Sequence, residues 1–142
     1  MDELDERLVE RIDSGMIRAT TLARKLNEPL STIHARLKKL ENEGVVRGYK
    51  GDIDWRKAGM SITAYILVNI DINLLKSSKR SQDRILKELL SIPYVKEGHI
   101  ITGEADILIK IVARDTEHLK QMLLNKIDGV EGIVKTKTIV VL

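Results

Sequence analysis

Apolar residues recur at helical spacing through the first third of the chain and alternate after residue 60. Leu4, Leu8 and Ile12 stand at i, i+4 and i+8, which predicts one buried stripe on a first helix. Asp2 is placed to cap it, its early acids favour the positive helix end, and Ser14-Gly15 ends it. "ATTLARKLN" predicts a short second helix with Thr20 as cap and Leu22, Ala23 and Leu26 inward; Asn27 takes the left-handed conformation that stops it. Pro29 suits the first turn of a third helix, whose stripe is Ile33, Leu37 and Leu40 and whose stop is Gly44. Opposite that stripe lie Ser31, Ala35, Lys38, Lys39 and Asn42, flanked by Thr32 and His34. Arg36 falls beside the apolar edge, where it braces the fold or touches a phosphate. "VVRGYKGDID", punctuated by Gly48 and Gly51, predicts a short hairpin or wing.

From residue 61 the segments "SITAYILVNID", "YVKEGHIIT", "ADILIKIVA" and "GIVKTKTIVVL" predict strands. "SQDRILKELLSI" predicts a helix with Ile85, Leu86, Leu89 and Leu90 inward. "DTEHLKQMLLNKI" predicts another, capped by Asp115, with Leu119, Met122, Leu123 and Ile127 inward. The order is βαββαβ. An internal echo supports it: "SIPYVKEGHIIT" and "KIDGVEGIVKTKT" each leave a helix through Ile, turn at Pro or Asp-Gly, and enter a strand at Val. Two βαβ halves make an antiparallel sheet with both helices on one face. The first strand is apolar on both sides, so the uncovered face predicts a dimer.

Composition narrows the possibilities. The 142 residues suffice for one ordinary domain or two small ones, and 43% hydrophobic residues exclude disorder. Aromatics are 3% with no Phe, so the core is aliphatic. The absence of Cys excludes a disulfide framework and cysteine zinc sites, and fits a reducing cytoplasm. "MDELDERLVERIDSG" is too acidic for a signal peptide, and no apolar run approaches a membrane span.

Charge adds direction. Residues 1–13 carry six acids against two bases, whereas residues 14–50 carry eight bases against three acids. Such a local excess is either solvation of helices or a footprint for a polyanion. Two helices joined by a tight turn, the second basic on its outer face, suggest a helix-turn-helix. Its second helix enters a major groove wide enough for one helix.

With these stretches in view, nearly the whole chain resembles the leucine-responsive/asparagine regulator (Lrp/AsnC, feast/famine) family. The matching runs are "LDERLVERID", "TLARKL…STIHARLKKLENEGVVRGY", "GHIITGEADILIKIVA" and "IDGVEGIVKTKTIVVL". Asn27 stands where a turn glycine is usual, and Pro29 where a serine usually caps. The resemblance implies an α+β chain. An N-terminal winged helix-turn-helix of three helices and a short wing occupies residues 1–52, residues 53–60 link, and a ferredoxin-like βαββαβ domain occupies residues 61–142.

It further implies a sequence-specific transcription regulator acting on double-stranded, palindromic operator DNA. The expected DNA-binding residues are Thr20, Thr21, Ser31, Thr32, His34, Ala35, Arg36, Lys38, Lys39, Arg47 and Lys50. Of these, Arg36, Lys39, Arg47 and Lys50 are expected mostly at phosphates. The family's amino-acid effector site falls on Thr102, Gly103, Glu104 and Asp106. Gly103 and Asp106 match family positions, whereas Glu104 belongs to this sequence. A homodimer assembling to an octamer or other higher oligomer, in a cytoplasmic, nucleoid-associated protein without membrane or cofactor, completes the expectation. Catalysis is not expected: His34, His99 and His118 fall on three separate elements, and no HExxH, GxSxG or P-loop occurs. Two rival readings are an amino-acid sensor acting on a protein partner and a sequence-blind DNA-wrapping protein. The salt dependence of duplex binding separates the first, and competitor DNA the second.

Overall fold

The computed structural model describes residues 1–78 and 80–142. The chain forms two compact units, Met1–Ile53 and Asp54–Leu142, each with its own core.

The first unit is three helices, α1 (Glu3–Asp13), α2 (Ala19–Leu26) and α3 (Leu30–Asn42). Asp2 caps α1 reciprocally: its side chain accepts from the Asp5 N–H at 2.9 Å, and the Asp5 side chain accepts from the Asp2 N–H at 3.2 Å. Asn27 is left-handed at φ 55°, and the Glu28 N–H closes on the Ala23 carbonyl at 3.0 Å, ending α2. Leu8, Leu22, Ala23, Leu26, Ile33, Leu37 and Leu40 form the core, so the three predicted stripes meet.

Two local expectations change. Thr20 lies inside α2, and Arg18 stands at its cap position without a side-chain bond. Pro29 precedes α3, and its carbonyl accepts the first helical bond, from the Ile33 N–H at 3.1 Å. The wing carries no strand pairing: after the turn at Gly44 the chain runs irregularly to Asp54. The Tyr49 hydroxyl ties it back by donating to Glu41 Oε1 at 2.9 Å.

The second unit is a four-stranded antiparallel sheet of β1 (Ile62–Ile70), β2 (Val95–Ile100), β3 (Ile107–Ala113) and β4 (Ile133–Val140), in spatial order β2-β3-β1-β4. Helices α5 (Gln82–Ser91) and α6 (Thr116–Gln121) follow β1 and β3, completing the ferredoxin-like order. Alternate residues Ala64, Ile66, Val68 and Ile70 of β1 enter the core with Ile107, Ile109 and Ile111 of β3 and Ile85 and Leu89 of α5. Thr63, Tyr65, Leu67 and Asn69 face the other side and stay half-buried.

Here too the structure adjusts the reading. A short helix α4 (Ile72–Ser78) follows β1, started by Asp71, whose Oδ1 accepts from the Asn73 N–H at 2.9 Å. Leu90 is 42% exposed rather than inward. Helix α6 widens to π-type turns over Met122–Ile127. Strand β4 starts at Ile133, later than the echo at Val130 suggests.

Candidate functional site

Helix α3 offers two kinds of polar group. Ser31, His34, Ala35 and Lys38 are exposed and Thr32 is half-buried. Their side chains have no hydrogen-bond or ionic partner among the described residues. Burial of Ile33, Leu37 and Leu40 aims this strip outward. Arg36 and Lys39 are engaged instead. Arg36 Nη1 donates to Asp2 Oδ2 at 2.5 Å and to Asp5 Oδ1 at 3.1 Å, and Lys39 Nζ donates to Asp5 Oδ2 at 2.9 Å. The Lys39 hydrogen bond, joined by those of Arg36 and the Asp2 backbone, holds the Asp5 carboxyl well below the usual carboxylate range, against the opposing effect of its desolvation. The bonds to Asp2 and then Asp5 raise Arg36, and the bond to Asp5 raises Lys39, above their ordinary values. Of the two roles expected for Arg36, the structure therefore displays bracing. Thr20, Arg47 and Lys50 are exposed, and Thr21 is half-buried.

In the second unit the expected effector residues sit on the loop joining β2 to β3. Thr102, Gly103 and Glu104 are exposed, and Gly103 adopts φ +114° with open space where a Cβ would point. The loop runs from Ile101 to Asp106 and is pinned to the end of β1. The Asn69 amide Nδ2 donates to the Glu104 carbonyl at 3.0 Å, the Asp106 N–H to the Val68 carbonyl at 2.9 Å, and the Ile70 N–H to Asp106 Oδ2 at 2.8 Å. The β1–β4 register shifts between Asn69 and Ile70, and the Asp106 carboxylate takes the Ile70 N–H there. Asp106 Oδ1 has no partner among the described residues. Thr102, Gly103, Glu104 and Asp106 thus lie together, with Asn69 and Ile70 as partners that sequence spacing does not reveal.

Other polar clusters have structural partners. His118 Nδ1 accepts from the Arg114 N–H at 3.0 Å, and its ring meets Tyr94 edge-on with centroids 5.3 Å apart. Arg80 lies 2.8 Å from Glu88 and 3.8 Å from Glu131. Among the described residues no group of His, Asp and Glu is arranged to hold a metal, and no helix is long and apolar enough to cross a membrane.

Comparison with known proteins gives the same division. Residues 1–47 match the winged helix-turn-helix DNA-binding domain, and residues 63–142 match the Lrp/AsnC ligand binding domain. An HTH-type transcriptional regulator of Pyrococcus abyssi is 31% identical over 99% of this chain and 91% of its own. The regulatory protein AsnC of Escherichia coli is 28% identical over 98% of this chain and 93% of its own. The solved structure of E. coli AsnC superposes with a TM-score of 0.78, covering 100% of this chain and 92% of that one, at 26% identity. A Neisseria meningitidis transcriptional regulator solved with L-methionine has the same fold, with a TM-score of 0.82 at 22% identity, covering 100% of this chain and 90% of that one. With a DNA-binding helix-turn-helix followed by an effector-binding ferredoxin-like domain, the chain belongs to the Lrp/AsnC family of transcription regulators.

Proposed function

We propose that α3 is the helix that reads operator DNA, with Ser31, Thr32, His34, Ala35 and Lys38 at base edges or nearby sugars. The observation that carries this reading is the outward strip of unpartnered polar groups on a helix whose opposite face is wholly buried. Hydroxyl, imidazole and ammonium groups read the donors and acceptors of the major groove. Arg47 and Lys50, exposed after α3, with Thr20 and Thr21 on α2, supply contacts to the phosphate backbone, which position the protein without specifying sequence.

The β2–β3 loop is the effector site on this reading. Asp106 Oδ1 receives an ammonium group, and backbone N–H groups near Gly103 receive a carboxylate, as an α-amino acid requires. The complex of the Neisseria relative with L-methionine supports this class of ligand. The open sheet face pairs two copies, so that one dimer presents two reading helices to an inverted repeat.

The test is selection of genomic fragments by the purified protein, followed by affinity measurements on operator variants. Lys38→Ala is expected to re-rank the variants, with about 1–3 kcal/mol of discrimination lost at one base pair. A ranking identical to that of the wild type removes α3 as the reader.

A further inference from the structure

Four charges meet where α3 lies against α1. Two are cations of the reading helix, Arg36 and Lys39, and two are acids of α1 and its cap, Asp5 and Asp2. The Asp5 side chain has no exposed surface, and both its oxygens are taken. Asp2 is about half exposed. The same α3 carries Lys38, about 100° around the helix from Lys39, and Lys38 has no acid partner among the described residues.

Protein cations bind DNA by displacing condensed counterions from phosphates, and each phosphate neutralised steepens the salt dependence of affinity. A cation already bonded to a buried carboxylate is in a different position. Turning it to a phosphate strips a charged group with no access to water of its partner, and such a group is strongly disfavoured when left unpaired. We propose that Asp5 is a positioning residue for DNA reading: it holds Arg36 and Lys39 on the α1 side of α3 and so withdraws both from the phosphate-binding set. The inference rests on α3 being the reading helix. It revises the expectation that Arg36 and Lys39 lie at phosphates. It assigns a DNA-related role to an acid that never touches DNA, since the carboxylate stands in for phosphate within the fold. What remains for DNA is a helix with Lys38 outward and a fixed rotation about its own axis. The lowered Asp5 pKa agrees with this arrangement, because the hydrogen bonds from Lys39 and Arg36 favour the charged carboxylate over the neutral acid.

The experiment is the salt dependence of affinity of the full chain for a mixed-sequence duplex. The proposal expects Lys39→Gln to keep the wild-type slope of log affinity against log salt. Asp5→Asn, which removes the carboxylate under Lys39 while Asp2 still holds Arg36, is expected to steepen it by about 0.9 for one new phosphate contact. Glu10→Gln makes the same charge change elsewhere on α1 and is expected to leave the slope unaltered, so net charge alone does not produce the effect. A Lys39→Gln slope shallower by about 0.9 overturns the proposal, because Lys39 then contacts phosphate. So does a folded Asp5→Asn variant, judged by circular dichroism, with the wild-type slope. If Asp5→Asn does not fold, Lys39→Gln decides alone. A wild type without salt-dependent duplex binding removes the DNA reading and this inference with it. Wild-type binding with a diminished Lys39→Gln slope removes only the inference.

Discussion

Asp106 has a part in the fold as well as in the proposed effector site. Its Oδ2 satisfies the Ile70 N–H at the irregular end of β1, and only Oδ1 is left for an ammonium group. Alanine at this position therefore conflates two losses, because an unsatisfied buried N–H costs about 1–3 kcal/mol by itself. Asparagine separates them: its carbonyl still accepts from Ile70, while the charge is gone. Asp106→Asn is expected to unfold near the wild-type temperature and to bind the amino-acid effector about 1.5–3 kcal/mol more weakly, the usual value of a charged hydrogen bond. Asp106→Ala is expected to lose stability as well. Calorimetric titration of the common amino acids, with a melting curve for each variant, checks both. Equal affinity in wild type and Asp106→Asn places the site elsewhere. The loop itself is legible in the sequence, since a glycine and an acid at a strand mouth stand out. The Ile70 partner, 36 residues away, is not, and neither is the bond between Asp5 and Arg36 across 31 residues. Side chains distant in sequence meet through packing, which periodicity does not encode.

The elements follow their hydrophobic period closely, because a buried stripe fixes both the type of an element and its rotation. The departures occur where a local bond outweighs the period. Asp71 starts α4 in a stretch too short for a helical pattern to show. The wing segment pairs with no strand, and its Tyr49 bonds to α3. Tyr94 adopts φ +71° after Pro93, in a turn closed by the Val95 N–H on the Ile92 carbonyl at 3.2 Å, a geometry that usually calls for glycine. Two glycines are held by packing of different kinds. At Gly132 the backbone is left-handed, φ +104°, and an added Cβ would stand 2.9 Å from Ile85 Cδ1 in the fully buried core. At Gly98, whose backbone is not left-handed, an added Cβ would meet Leu86 Cδ1 at 2.7 Å and Leu90 Cδ2 at 3.1 Å, both ends of flexible side chains, and the buried Ile109 Cγ2 at 3.3 Å; Leu90 has solvent to move into. Gly132→Ala is accordingly expected to cost about 1–3 kcal/mol, combining backbone strain with overpacking. Gly98→Ala should cost less. Urea unfolding of the three proteins tests the order, and a Gly132→Ala midpoint equal to wild type would show that Ile85 and the turn relax freely.

At the scale of the whole molecule the unsettled surface is the open face of the sheet. Cross-strand partners point to the same side, so the register places Leu67 between Leu108 and Lys137, Tyr65 between Lys110 and Ile139, and Lys135 beside Asn69. Leu67, Tyr65 and Leu108 are half-buried in the single chain, while Ile139 is 47% exposed. Apolar side chains on a sheet face outside the core cluster suit a protein–protein contact. Leu67 is the residue to change, because its side chain leaves the core cluster of Ile66 and Val68 untouched. Leu67→Lys keeps a long aliphatic stem and adds one charge at the centre of the patch. A dimer brings that charge in twice, once from each copy, and must desolvate each beside the Lys137 that pairs with position 67. The variant is expected to sediment as a monomer at micromolar concentration with the circular dichroism of the wild type. Its affinity for a palindromic operator should fall while its affinity for a half-site stays, since each copy keeps its own α3 and only the linkage of two sites is lost. A Leu67→Lys protein that remains a dimer would assign the contact to another surface. A variant that loses half-site binding along with the dimer would show instead that α3 is not folded to read DNA in the isolated chain.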